Sequence, residues 1–261
     1  MSASAKISSA PIASAEPVAR RRSLALLMGL LNHGTFLVAV TAMLCGPFDG
    51  LGSGRGPFTG ASAWLANTLL VLQFPLLHSF LLTARGRALM ARLFGRHGRT
   101  LAPTTYTWSA ALQILAVFAL WSPSGVVWWE PHWAWLVAHT TLFLSAWLFL
   151  LKALYDGGMG LQTGSIGWLA LLRGTKPAFP ALPTRGTFAL CRQPIYLGFA
   201  LTLWTGPVWT PDRLLLAALW TTYCVVGPRH KERRFLAFHG EEFARYQRRV
   251  PYMLPLGRRA A

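Results

Sequence analysis

The sequence predicts an all-α membrane protein: about six transmembrane helices followed by a C-terminal cytoplasmic amphipathic helix. Three observations predict it. Of 261 residues, 53% are hydrophobic and only 13% charged, against about a quarter charged in ordinary globular domains. Apolar runs close to the length needed to cross about 30 Å of hydrocarbon recur along the chain. The charge is also sorted: 23 of the 25 Lys and Arg fall on one side if the spans alternate.

The elements follow in order. Met1–Ala19 is rich in Ala, Ser and Pro and reads as disordered, so residues 1–23 are assigned to a cytoplasmic tail. Arg20, Arg21 and Arg22 then precede a span at Leu24–Cys45. That run is longer than a signal-peptide core and no small-residue cleavage site follows it, so a retained span is expected. Further spans read as Ala63–Leu82, Thr104–Trp121 and Trp133–Leu154, which completes a four-span bundle over residues 24–154. Gly50, Gly52, Gly54 and Gly56 follow no strand, so a flexible connection is expected there rather than a nucleotide loop.

Residues 155–261 are assigned to an interfacial segment, a two-span hairpin and a cytoplasmic tail. Between Tyr155 and Arg192 the chain is too long for a plain connection and too apolar for disorder, which predicts a short interfacial or re-entrant helix around Ile166–Leu172. The hairpin pairs Ile195–Trp209 with Arg213–Pro228, its turn bracketed by Pro207 and Pro211. His230–Arg249 reads as a charged amphipathic helix interrupted by Gly240, with Phe235, Phe238, Tyr246 and Val250 as its apolar positions.

A net charge of +17 would point to nucleic acid in a soluble chain. Its placement points elsewhere. Basic residues mark the cytoplasmic face of a membrane protein, so both termini are placed in the cytoplasm and the basic patches are expected to hold anionic lipid headgroups, with no nucleic acid as partner. Trp121, Trp128, Trp129, Trp133, Trp135 and Trp209 gather at the opposite ends of the spans, as an interfacial belt does. Cys45, Cys191 and Cys224 are scattered, with neither metal-ligand spacing nor a disulfide framework, and no metal site is expected.

The segment 182–198 runs Leu182, Pro183, Thr184, Arg185, Gly186, Thr187, Phe188, Ala189, Leu190, Cys191, Arg192, Gln193, Pro194, Ile195, Tyr196, Leu197, Gly198. It resembles the L-x-T-x-G-x-Y-x-x-x-R-H-P-x-Y-x-G hallmark of the isoprenylcysteine carboxyl methyltransferase-like superfamily. Lys231 and Glu232, then His239 and Gly240, Phe243, Tyr246, Val250 and Pro251, Leu254 and Pro255 are similar in order and spacing to the closing elements of that superfamily. Upstream, Leu77, His78 and Ser79, Thr105 and Tyr106, Trp121 to Pro123, and Trp204 to Pro207 with Thr210 resemble one branch, the bacterial methanethiol S-methyltransferases. The resemblance covers roughly residues 70–256.

It implies transfer of a methyl group from S-adenosylmethionine to a small thiol or another lipophilic acceptor. It implies cofactor contacts at Gly186, Arg192, Gln193, Pro194, Tyr196, Gly198, Glu232 and Tyr246, with His78 and Arg192 as catalytic candidates. The residue types suit these roles. A helix N-terminus at Ile195 favours an anionic group, and Arg192 adds a bidentate donor for a carboxylate. Glu232 suits ribose hydroxyls or an ammonium, while Tyr196 and Tyr246 offer ring faces to adenine or a sulfonium. His78 is the candidate base for a thiol, which at a reference pKa of about 8.5 is mostly protonated at neutral pH.

Two positions depart from the pattern: Gln193 stands where it has His, and Lys231 where it has the first of two Glu. Gln cannot take a proton at neutral pH, and Lys231 reverses a charge. Phe188 and Phe243 replace tyrosines and keep only the ring. These departures keep two other readings open, a methyltransferase for an isoprenoid or phospholipid acceptor and a non-catalytic membrane subunit of the same fold.

Overall fold

The computed structural model describes residues 17–254. Most of the stretch expected to be disordered, residues 1–16, lies outside them, as does Pro255 of the closing motif. Val18 and Ala19, expected in that tail, already belong to the first helix.

Eleven α-helices are described: α1 (Val18–Phe48), α2 (Gly60–Leu81), α3 (Ala84–Leu93), α4 (Gly98–Ala119), α5 (Ala134–Asp156), α6 (Met159–Gln162), α7 (Ser165–Arg173), α8 (Thr187–Leu190), α9 (Pro194–Thr205), α10 (Pro211–His239) and α11 (Glu241–Arg249). Among the described residues there is no β-strand, only an isolated bridge between Trp129 and Trp209. Three of the helices, α1, α2 and α5, are long and apolar enough to cross a membrane. Their outer faces are bare leucine, with Leu30 73%, Leu76 69% and Leu148 67% exposed. Such faces would be unstable in water and are at rest in lipid. The protein is a membrane protein.

Every apolar run read from the sequence lies in a helix, with shifted ends. α4 begins six residues before Thr104 and carries Pro103 inside it. α9 stops at Thr205, so Trp209 sits in a connection, where its N–H donates to Trp129 O at 2.8 Å. The largest correction concerns Pro228. It was expected to end the hairpin, yet α10 runs through it to His239. Proline removes one ladder bond and crowds the preceding turn, and the Tyr252 hydroxyl donates to the neighbouring Val225 carbonyl at 2.7 Å. The charged helix expected over His230–Arg249 is therefore two pieces, the end of α10 and α11, joined at Gly240 with φ +54°. Of its expected apolar positions, Phe238 is 84% exposed, while Tyr246 is buried.

Helix α3 lies in the basic connection, where no helix was expected. Its N-cap is Thr83, whose hydroxyl accepts the Gly86 N–H at 3.2 Å. The expected short helix between Tyr155 and Arg192 is α7. It is fastened to the bundle by polar contacts: the Thr104 hydroxyl donates to Gly164 O at 2.6 Å and accepts the Trp168 N–H at 2.9 Å. Asn32 of α1 donates to Thr163 O at 2.7 Å, and the Trp168 indole donates to His33 at 3.0 Å.

Two apolar clusters hold the hairpin. Leu203, Leu216, Ala217 and Trp220 pack with Val71, Val117 and Trp121; Ile195 and Phe188 pack with Phe143, Trp147, Leu150 and Ala153. Arg213, the first residue of the expected last span, is 1% exposed. It donates to the carbonyls of Leu203 and Val208 at 3.0 and 2.7 Å and lies 4.1 Å from the Trp209 ring centroid. These carbonyls stand at and beyond the end of α9 without helical partners, so one guanidinium closes the hairpin turn.

Candidate functional site

The motif loop and the end of α10 meet at the end of the bundle opposite the Trp129–Trp209 bridge. Pro194 occupies the first turn of α9, where its fixed φ suits the helix and its missing N–H is not needed. Gly198, one turn on, faces α5 so closely that a Cβ would stand 2.9 Å from Leu150 Cα. Gly186 adopts φ +60° and ψ −130°, a region open essentially to glycine alone. Its bare face leaves room for the Asp156 carboxylate, which accepts the Thr187 N–H at 2.8 Å and the Thr187 hydroxyl at 2.9 Å. Gly186, Pro194 and Gly198 thus set the path of the loop.

Arg192, Gln193 and Glu232, distant in sequence, form one cluster. Arg192 Nε donates to Glu232 Oε1 at 2.9 Å and Nη2 to Oε2 at 3.2 Å. Gln193 Nε2 donates to Oε1 and Gln247 Nε2 to Oε2, both at 2.8 Å. A carboxylate accepts about four hydrogen bonds, so Glu232 is saturated. Burial works to raise the Glu232 carboxyl, and the bonds from Arg192, Gln193 and Gln247 overcome it, holding the group below its ordinary value. The Arg192 guanidinium is almost as fully engaged. Its Nη1 donates to Gln247 O at 3.0 Å and Val250 O at 2.6 Å, and its backbone N–H to Pro251 O at 2.9 Å. The pair clamps α10, the motif loop and the residues after α11.

Tyr246 joins the same assembly from α11 but spends its hydroxyl on the Phe188 carbonyl at 2.6 Å. Its phenol is pushed up by burial, so it stays a neutral donor. The two departures from the motif pattern face each other: Lys231 Nζ lies 3.5 Å from Gln193 Oε1. The same ammonium sits 5.6 Å from the Tyr196 ring centroid and 5.3 Å from that of Phe235. Beneath the clamp opens a cavity of about 370 Å³ lined by Arg192, Arg229, Glu232, Arg233, Leu236, Gln247 and Tyr252.

His78 belongs to a second cluster. Its Nε2 shares a 2.5 Å hydrogen bond with the Tyr106 hydroxyl of α4. Phe74 stacks on it at 4.9 Å, and Tyr223 of α10 meets it edge-on at 6.4 Å. Its Nδ1 is buried with no hydrogen-bond partner among the described residues. Tyr106 lies within electrostatic reach of Tyr196 and Tyr223, and Arg234 reaches over to Leu82 O at 3.3 Å. Lys231 and Tyr196 therefore stand between the His78 cluster and the Arg192 clamp, and no direct contact among the described residues joins the two.

Tyr106, Tyr223, Gln247 and Tyr252 were not singled out from the sequence as site residues. A tyrosine inside an apolar run was the available signal for Tyr223, because a buried hydroxyl in a span needs a partner. Gln247 sits in a charged helix where nothing distinguishes it. Among the described residues no group of His, Cys, Asp and Glu is placed to hold a metal.

No family model matches the chain, and no solved structure matches it either. Several named proteins do. Methanethiol S-methyltransferase 1 of Bradyrhizobium diazoefficiens is 29% identical over 198 residues, covering 75% of this chain and 68% of that protein. Methanethiol S-methyltransferase of Pseudomonas sp. (strain GM41(2012)) is 28% identical over 237 residues, covering 89% and 88%. Nurim of Xenopus laevis is 28% identical over 195 residues, 66% of each chain. The chain is thus a relative, over most of its length, of proteins named methanethiol S-methyltransferase, in keeping with the superfamily that its motifs resemble.

Proposed function

We propose that the protein is an integral membrane methyltransferase that moves a methyl group from S-adenosylmethionine to a small thiol such as methanethiol. In this reading α4, α9 and the first part of α10, up to Pro228, join α1, α2 and α5 as spans. That makes six, with both termini, α11 and the clamp on the cytoplasmic side, where 23 of the 25 Lys and Arg then lie. The membrane is the bacterial cytoplasmic membrane, the acceptor a small or lipophilic molecule, and residues 155–254 form the cofactor site.

One observation carries the reading: the motif loop, the end of α10 and α11 converge around a polar cavity at the end of an otherwise apolar bundle. At about 370 Å³ the cavity falls within the range of small-molecule sites. Its lining suits the donor. Arg229 and Arg233 offer guanidinium groups for a carboxylate, and Tyr252 offers a ring face, beside Leu236. The donor, when bound, supplies an electrophilic methyl on a sulfonium. Arg192 and Glu232, occupied with each other, hold the walls, and Gly186, Pro194 and Gly198 fix the loop that carries them. Tyr196 and Gln193 face the acceptor side, toward His78. The saturation of Glu232 is also the observation that favours the second reading, a non-catalytic relative that keeps the fold.

Calorimetry of the detergent-purified protein with S-adenosylhomocysteine separates the two. Saturable binding, followed by dimethyl sulfide release from cells given methanethiol, is the expected result. A protein that binds no S-adenosylhomocysteine is not a methyltransferase of this kind.

A further inference from the structure

Lys231 is a poorly satisfied, half-buried cation beside the site. An ammonium carries three donors, and its contacts are one oxygen, Gln193 Oε1 at 3.5 Å, and the two ring faces of Tyr196 and Phe235. No carboxylate among the described residues forms an ion pair with it, because the adjacent Glu232 is taken by Arg192, Gln193 and Gln247. The groups that face it are few: Glu232 and Arg234 on its own helix, Tyr196 on α9, and Gln193 before α9. Beyond Tyr196 lie Tyr106, Tyr223 and His78.

Resting on the thiol reading above, we propose that Lys231 is the base that ionises the acceptor: its neutral amine takes the proton of a thiol held against Tyr196. The S–H bond breaks and the proton joins Nζ, leaving a thiolate beside an ammonium. The thiolate sulfur forms the new S–CH₃ bond as the methyl–sulfonium bond breaks, and that electron pair returns to the donor's sulfur. The proton on Nζ then leaves to solvent. Charge favours the order. A thiolate alone is costly to bury, and an ammonium at its side offsets much of that cost. A neutral amine before the proton moves also spares the cationic donor a like-charged neighbour. Burial, the largest influence, pulls the amine down to about 8, against attraction from Glu232 and with repulsion from Arg234. About a tenth of the group is then neutral at pH 7, where an ordinary lysine is almost wholly charged.

Two measurements test this. The chain has four lysines, Lys6, Lys152, Lys176 and Lys231, so the side-chain amine signal missing from a Lys231→Met variant identifies Lys231 in NMR of the labelled protein. That signal should titrate near pH 8; titration at the ordinary lysine value overturns the proposal. In the second, methyl transfer is compared between methanethiol and an aryl thiol already ionised at neutral pH. Lys231→Met and Lys231→Arg should each lose at least 50-fold with methanethiol and less than fivefold with the aryl thiol. The rise of rate with pH should move upward to follow the thiol's own ionisation. Equal losses with both thiols mean a structural role and overturn the proposal alone. A wild-type protein inactive on both thiols overturns the thiol reading and this proposal with it.

Discussion

The Tyr246 hydroxyl donates to the Phe188 carbonyl oxygen across 58 residues at 2.6 Å, and this single bond ties α11 to the turn of helix inside the motif loop. Both residues are buried, so removing the hydroxyl leaves a carbonyl without a partner. Tyr246→Phe should cost about 1–3 kcal/mol. It should appear as a lower melting temperature in detergent and as faster proteolysis after Arg249, with the ring contact to Phe243 retained.

Arg192→Ala should be the most damaging single change at the site. It strips two bonds from Glu232 and three carbonyl contacts fall to one, the backbone bond to Pro251. Breaking a buried pair by removing one partner costs about 3–5 kcal/mol. Glu232→Gln, which leaves no unpaired anion, should cost less. Thermal unfolding of both variants in the same detergent checks the order; equal losses would mean the pair is not held out of water.

The pH dependence has a definite sign. The Glu232 carboxyl is held below its ordinary 4.5, so its contribution is fully present above that value and is lost as pH falls through the lower folded value. The stability difference between wild type and Glu232→Gln should stay constant from pH 8 to pH 5 and shrink only below about pH 4.5. A difference already fading at pH 6 would contradict the saturated carboxylate.

Gly186→Ala combines backbone strain with a collision at the Asp156 carboxylate. The strain alone is about 1–3 kcal/mol, and the cap on Thr187 is lost besides. Expression in membranes should drop and the melting temperature fall, while Gly34→Ala, where an added Cβ meets nothing within 4 Å, should leave both unchanged.

Tyr106→Phe removes the hydroxyl that His78 Nε2 engages. In the proposed reading the His78 cluster lies on the acceptor side of Tyr196, so S-adenosylhomocysteine binding should be unaltered and methanethiol turnover should fall about tenfold, as loss of a positioning contact does. A loss of binding instead would place His78 on the donor side.

How much of this was legible depended on how local the signal is. Apolar runs announce helices residue by residue: Leu24–Cys45 lies inside α1, and Trp133–Leu154 lies inside α5 but for Trp133, its N-cap. Pro228 misled because a proline's effect on a helix depends on what packs around it, and no local pattern shows Tyr252 meeting Val225 O. Helix α3 was hidden by Arg85, Arg87 and Arg92, which read as a basic connection, although Thr83 is an ordinary N-cap. In the site, the motif resemblance placed Arg192 and Glu232 in one pocket, but neither their pairing nor the saturation of Glu232 followed from it. That depends on Gln247, which reaches Oε2 only because α11 turns back at Gly240. The Lys231–Gln193 contact was equally invisible, since each residue by itself looked only like a departure.

The hold of Arg192 on Val250 O, 58 residues further along the chain, bears on how the protein is made. In the proposed six-span topology, the residues that will receive the guanidinium are still inside the ribosome when the clamped ends of α9 and α10 reach the bilayer. Arg192 and Glu232 must wait at the headgroup layer as mobile charges, and only after insertion is complete can the returning strand of chain lock them. Assembly of the clamped end is, in that topology, a separate event that follows membrane integration, and a protein caught between the two would be fully embedded yet open at that end.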